Sequence, residues 1–337
     1  MRWKNQKPAA LFAAACAALW LAAECSAQDE AGQTERTSKE DLEQVARKSP
    51  SLFNRPAKST PAEQAEYADA LLAGGRIKAA ARQYSALVRK WHESHQAPYA
   101  QWQLSLLLDR MGRDKDAFRE FQYLIRWFPG RFPFDQAIER QFQIANRIRT
   151  AKRARFMFGG FEAPEEALPF LEQVAKNAPR SRYAQEALFQ IALIREDAGD
   201  FEEAARAFEH VRITYPNGPY AEQAAFHRAR CIAALSRLHP RNEPTYREAI
   251  AAFAQFLRDF PDSRLAEEAQ QAMTAMKEKL AAMVYERALF YDRRGGNPRA
   301  AIIALSDFVR NFPSSEPALR ASRRLEELKK SMEARKE

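Results

Sequence analysis

Two places in the chain bring together side chains that could do chemistry. Trp91-His92-Glu93-Ser94-His95 contains H-E-x-H. It is one residue short of the H-E-x-x-H that sets two imidazoles on one helical face to hold zinc. His227 and Cys231 stand four apart in a helical pattern and would share a face, but two ligands are too few for a metal centre. The sequence has no G-x-S-x-G elbow, P-loop or G-x-G-x-x-G. Carboxylates are plentiful but fall in i, i+4 mixtures with cations, as at Glu202, Glu203 and Arg206, the pattern of a solvated helix face. These residues therefore offer no catalytic residue, cofactor site or metal site.

The sharper binding candidate is the stretch RARFMFGGFEAPEEA, from Arg153 to Ala167. Phe156, Met157, Phe158 and Phe161 set four large apolar groups around two glycines. Arg149, Lys152, Arg153 and Arg155, with Arg147, put a basic rim before them. An apolar loop edged with cations suits an extended hydrophobic client or an acidic partner surface. The other reading is a loop that folds back and plugs a gap in the structure.

These residues must be positioned by helices. Only 11 of 337 residues are Gly, and Ala, Leu, Glu, Arg and Gln dominate, a composition of helix formers. The alternating β-branched runs of a sheet are scarce. Collagen, disulfide-rich mini-proteins, large β-barrels and parallel-sheet enzymes are excluded on these grounds. At 46% hydrophobic and 29% charged residues the chain is globular in composition.

One pattern recurs through it. An Ala is followed by large apolar residues four and seven positions on, then by Pro at twelve. The instances are Ala117-Phe121-Leu124-Pro129, Ala167-Leu171-Val174-Pro179, Ala204-Phe208-Val211-Pro216, Ala249-Phe253-Phe256-Pro261 and Ala301-Leu305-Phe308-Pro313. A sixth, Ala80-Tyr84-Leu87, has His92 in the proline position. Positions i, i+4 and i+7 share a helix face. The small Ala admits a neighbouring helix, the larger residues fill the space beside it, and Pro ends the unit. Gly75, Gly112, Gly199 and Gly296 lie five residues before four of these alanines, where a turn between antiparallel helices belongs. Alanine pairs five and eight residues after four of the prolines (184/187, 221/224, 266/269, 318/321) mark the first helix of each next pair. The spacing predicts an all-α, tetratricopeptide-like right-handed α-solenoid of about six helix-turn-helix units over residues 61–337, with a capping helix at the end. Proline-to-proline distances exceed the usual repeat of roughly 34 residues. Longer first helices and two insertions, the loop at Arg153 and another near Leu238 to Pro244, take up the excess.

The first 27 residues read as a secretory signal peptide. Arg2, Lys4 and Lys7 precede an apolar run from Pro8 to Ala23, and Cys25-Ser26-Ala27 offers small residues at a cleavage site. The run is too short to span a bilayer. Cleavage after Ala27 would remove +2 of the net charge of +9 and leave Cys231 as the one cysteine, so no internal disulfide forms. Cys231 then reads as a small buried hydrophobe. Cys16 and Cys25 are the candidates for lipid attachment, in weak contexts. Residues 28–60, polar and then punctuated by Pro50, Pro56 and Pro61, read as a tether, a flexible or weakly helical linker.

The segments ITYPNGPYAEQA, LRDFPDSRLAEEA and KLAAMVYERALFYDRRGGNPRAAIIALSDFVRNFPSS resemble the BamD family of outer-membrane assembly lipoproteins. FMFGGF is similar to a loop in the middle of that family. Two registers are open: one anchors on FMFGGF and leaves extra C-terminal repeats, the other anchors on the segment from Lys279 and leaves extra N-terminal ones. The resemblance implies an exported scaffold in the periplasm, at the inner face of the outer membrane. Its partners would be a barrel-assembly outer-membrane protein and unfolded β-barrel clients, with no nucleic acid. The other classes weighed are a periplasmic tetratricopeptide coordinator of cell-envelope or cell-wall synthesis machinery, and a helical-solenoid enzyme. The repeats leave no room for the catalytic domain of the latter.

Along the concave face of such an array, Gln101, Gln103, Arg110, Arg195 and Glu196 are expected as exposed contact positions. Trp91, Trp102 and Trp127 fall at repeat helices and read as core.

Overall fold

The computed structural model describes residues 42–50, 54–153, 161–293 and 297–334, and these are overwhelmingly helical. Six antiparallel pairs follow one another: α1 (Pro61–Ala73) with α2 (Ile77–Lys90), α3 (Ala97–Arg110) with α4 (Asp114–Trp127), α5 (Phe134–Thr150) with α6 (Leu168–Asn177), α7 (Arg182–Asp197) with α8 (Phe201–Thr214), α9 (Ala221–Leu238) with α10 (Glu243–Asp259), and α11 (Ala266–Arg293) with α12 (Pro298–Asn311). A last helix, α13 (Ala318–Glu333), packs on α12. Each helix contacts its sequence neighbours, the arrangement of a tetratricopeptide-like α-solenoid.

One unit shows how the sequence builds the rest. α4 opens with Asp114 and Asp116 and closes with Arg126, charges matched to the helix dipole. Phe118, Phe121 and Leu124 bury one face. The Phe128 N–H caps the carbonyl of Leu124, and Pro129 forbids continuation. Before α4, Gly112 takes φ +68°, and the Arg113 N–H reaches back to the Leu108 carbonyl at 3.0 Å. That is a helix-terminating wrap that a residue with Cβ resists. Gly75 and Gly199 repeat it, at φ +73° and +82°; Gly296 lies outside the described residues.

The repeat register is borne out at every unit. The eighteen Ala and apolar residues of the six motifs are all no more than 1% exposed. The three tryptophans are partly buried against the same core, as expected. That core runs without a break from Leu42 to Ile194, and smaller clusters continue it through α13. The extra length lies where the spacing put it: α11 has 28 residues, and the chain between α5 and α6 is an insertion. The insertion carries a feature not expected in an all-helical chain. Lys152–Arg153 (β1) pairs antiparallel with Phe161–Glu162 (β2), followed by a 3-10 turn, Pro164–Ala167.

A second difference concerns the linker. Residues 42–50 do not hang free but lie along the first three helix pairs, with Leu42 fully buried. Polar composition suggested a tether. The segment instead docks because the array supplies an apolar hole for Leu42 and donors for its backbone.

Candidate functional site

The most elaborate polar site among the described residues is the seam where this N-terminal segment crosses the array. It begins with glutamines. Gln64 of α1 and Gln101 of α3 are fully buried and reach across to the second helix of their own pair. Gln64 Nε2 donates to the Gln83 carbonyl at 3.2 Å and to Gln83 Oε1 at 2.8 Å. Gln101 Nε2 donates to the Glu120 carbonyl at 2.9 Å and to Glu120 Oε2 at 2.6 Å. In the third pair Gln141, also buried, joins Gln122, Asn177 and Gln173 in one network. Buried amides left unpaired would cost about 1–3 kcal/mol each, so this seam fixes how paired helices meet.

The N-terminal segment satisfies the amide oxygens that remain. Lys58 N–H donates to Gln64 Oε1 at 2.9 Å and Ala57 N–H to Gln83 Oε1 at 3.2 Å. Lys48 Nζ donates to Gln101 Oε1 at 3.1 Å, pairs with Glu120 and sits 4.6 Å from the Tyr123 ring centroid. Burial pushes the Lys48 ammonium below its ordinary pKa, and Glu120 acts against that shift. The segment's carbonyls are held in turn by side chains near the ends of α2 and α4. Arg89 donates to the Ser49 carbonyl at 3.0 Å, Arg126 to that of Glu43 at 2.9 Å, and Trp127 Nε1 to that of Val45 at 3.0 Å. Such contacts read a backbone and not a sequence. The array thus holds the backbone of its own N-terminal segment, which leaves a helical turn at Leu42 and Glu43 and runs on without regular structure from Val45 to Pro50.

A second polar centre lies between α7 and α9. Glu196 is buried and accepts from His227 Nδ1 at 2.6 Å and from Arg230 Nε at 2.9 Å. Burial alone would raise this carboxyl, but the bonds from His227 and Arg230 hold it below its usual range. Burial pushes the neighbouring Cys231 thiol well up, aided by Glu196, and Cys231 is fully buried, as its small-hydrophobe reading expected. His92 packs among Tyr123, Trp127 and Phe128 and does not pair with His95. No group of three or more metal-ligating side chains occurs among the described residues.

Of the positions expected to be exposed, Arg110 is exposed and Gln103 and Arg195 are half-buried. Gln101 and Glu196 are corrected to buried structural groups, because each has polar partners on a neighbouring helix that complete its bonding inside. Phe156, Met157, Phe158 and Arg155 lie outside the described residues, as do Cys16, Cys25 and the signal peptide. Lys152, Arg153 and Phe161 are placed in the β1–β2 pair by backbone alone. Arg149 bonds Asn146 at 3.4 Å, and Arg147 is paired with Asp109 and Asp114. The docked segment was missed by sequence reasoning. Its one signal was the pair Leu42 and Val45 within a polar stretch.

Residues 229–337 match the YfiO family model, described as outer membrane lipoprotein, and residues 186–218 match a tetratricopeptide repeat model. The first match covers about a third of the chain, α9 to α13, and so takes the register anchored on the segment from Lys279. FMFGGF falls outside it. No curated protein matches. Among solved structures, YrrB, a TPR protein with an unusual peptide-binding site, aligns at 15% identity over 69% of this chain and 100% of its own, with TM-score 0.30. TTC0263, a thermophilic TPR protein of Thermus thermophilus, aligns at 15% over 64% and 98%, TM-score 0.28. A tetratricopeptide repeat protein of Parabacteroides merdae aligns at 13% over 80% and 93%, TM-score 0.29. The chain has a tetratricopeptide-like α-solenoid fold, and its C-terminal third is similar to the outer membrane lipoprotein family.

Proposed function

We propose that the protein is a non-catalytic scaffold of the cell envelope that holds other proteins during assembly of β-barrels into the outer membrane. The observation that carries this reading is the match of α9 to α13 to an outer membrane lipoprotein family, on an array built for protein contact. The partners are a barrel-assembly outer-membrane protein and unfolded β-barrel clients, met in the periplasm after export. No helix of the described residues is long and apolar enough to cross a membrane. Attachment to the outer membrane would go through a lipid on Cys16 or Cys25. The non-catalytic reading is supported by the fate of the chemically suggestive residues: His92 serves ring packing and Cys231 is shut in the core.

The test is affinity purification of the tagged protein from detergent-solubilised envelopes, read by mass spectrometry. Stoichiometric recovery of a barrel-assembly outer-membrane protein is expected. Recovery of wall-synthesis or inner-membrane proteins in its place would overturn the assembly role and favour a coordinator of those machines.

A further inference from the structure

The residue that breaks the repeat motif is His92. It stands twelve after Ala80, where the other five units have Pro129, Pro179, Pro216, Pro261 and Pro313. The backbone does not ask for this exchange. Trp91 before it takes φ −124° and ψ 53°, close to the φ of −130° to −140° and ψ of 46° to 67° found before those prolines. The first unit thus carries a titratable side chain where the others have none, and it is a unit that the N-terminal segment crosses.

The His92 side chain is 6% exposed. Its ring stacks on Phe128 at 4.8 Å and meets Tyr123 and Trp127 edge-on at 5.9 and 5.8 Å. Two of these rings hold the segment. Tyr123 Oη accepts from the Lys48 N–H at 3.3 Å, and Trp127 Nε1 donates to the Val45 carbonyl at 3.0 Å. His92 Nδ1 lies 3.3 Å from Glu93, and Nε2 is buried with no hydrogen-bond partner among the described residues.

The charges around the ring disfavour a proton. The segment presents Arg47 and Lys48 to it, and α2 adds Arg89 beside Lys48. From α4 come Tyr123, whose hydroxyl burial keeps neutral, and Glu120, which Lys48 already engages. Glu93 is the facing carboxylate of its own loop, but it is 82% exposed and shared with Arg47 at 2.8 Å. The Tyr123 face, which could shelter a cation, already has Lys48 Nζ 4.6 Å from its centroid. Burial, and then Arg47 and Lys48 against Glu93, hold the imidazole below its ordinary value of 6.5.

We propose that His92 is a proton-operated latch on the N-terminal segment. Neutral, it completes the aromatic box that holds residues 45–48. Protonated, it sets a third positive charge beside Arg47 and Lys48, and the segment leaves α2 and α4. Release uncovers the groups of Gln101, Glu120 and Trp127 that the segment now occupies. The docked chain takes the proton less readily than the released one, so docking is fully favoured above pH 6.5 and weakens as pH falls from there toward the depressed value. At about pH 5.5 the loss is at most about tenfold, the limit set by an undocked histidine of ordinary pKa. Glu93 and Glu120 at their ordinary values of about 4.3 remain largely ionised there. The latch lies in the first two helix pairs and is independent of which envelope protein the array holds.

The test is hydrogen exchange of the full chain at about pH 7.5 and about pH 5.5, read as protection over the intrinsic rate at each pH. Protection of residues 45–48 is expected to fall by about threefold to tenfold at the lower pH, while that of α12 holds steady. His92→Phe keeps a ring and cannot take the proton, so its protection should be the same at both. A parent chain indifferent to pH, or the same fall in His92→Phe, overturns the proposal. The imidazole NMR signal of the parent, assigned by its loss in His92→Pro, decides the matter where the Phe variant does not dock. A titration midpoint below 6.5 that coincides with the loss of protection supports the latch, and a midpoint at or above 6.5 refutes it.

Discussion

Lys48 and Glu120, 72 residues apart, form an ion pair that ties the N-terminal segment to the second helix pair. Their side chains are 12% and 21% exposed, so neither charge is well solvated. The pair is completed by Gln101 and by the face of Tyr123. The partners come from three stretches of sequence, the N-terminal segment, α3 and α4, and the arrangement exists only once the array has folded.

Removing one member of the pair leaves the other charge without compensation. Glu120→Ala is expected to destabilise the N-terminal half by about 3 kcal/mol, since breaking a buried pair costs more than the pair is worth. The double variant Lys48→Met with Glu120→Leu should recover most of that loss. Trp91, Trp102 and Trp127 all lie at the first two helix pairs, so tryptophan fluorescence in urea reads this half of the chain directly. Equal losses in the single and double variants would refute the account.

Ala204 is fully buried where α8 meets its neighbours. Ala204→Phe forces a ring into a contact sized for a methyl group and is expected to cost about 1–3 kcal/mol. Glu202→Phe, two residues away on the exposed face, should stay within about 0.5 kcal/mol. Urea midpoints of the two variants decide it. A neutral Ala204→Phe would undermine the repeat register.

That register shows what the sequence made legible. The Ala, apolar and Pro positions repeat with the period of a helix face, so burial of Ala204, Phe208 and Val211 could be read without a structure. The docked segment could not. Glu43 and Lys48 look like solvated charges locally, and their partners Lys176 and Glu120 are set by how the units stack. Gln101 and Glu196 were misplaced for the same reason: polar residues are expected outside unless a partner is known, and their partners sit on other helices.

Gly199 takes φ +82°, and a Cβ added there meets nothing within 4 Å. Gly199→Ala therefore costs backbone strain alone, about 1 kcal/mol. Gly199→Asn should cost less, because Asn tolerates the left-handed region. Thermal melts of both variants check the ordering, and equal stability of Gly199→Ala and the parent would remove the turn argument.

The insertion after α5 is testable through its candidate residues. Charge reversal at Arg153 and Arg155, or Phe158→Asp, is expected to weaken capture of the envelope partner by about tenfold at unchanged helicity, as loss of a central contact does. Retained capture would take the insertion out of the interface and leave it the role of filling a gap beside α5.

Glu196 supplies a pH dependence with a fixed sign. Its carboxyl is held below the model-compound value of 4.5 by His227 and Arg230 against the cost of burial. A carboxyl more acidic in the folded chain than in the unfolded one stabilises the fold at pH above 4.5. That contribution is lost as pH falls through the depressed value, because the unfolded chain then takes up the proton first. The α7–α9 junction should therefore loosen as pH drops below 4.5, seen as faster hydrogen exchange in α9 around His227 and Arg230. Glu196→Gln keeps the shape but cannot ionise, so its α9 exchange should be faster at neutral pH and nearly flat across the same acid range. A parent chain whose α9 protection is unchanged through that range would show that the carboxylate is not what holds α7 to α9.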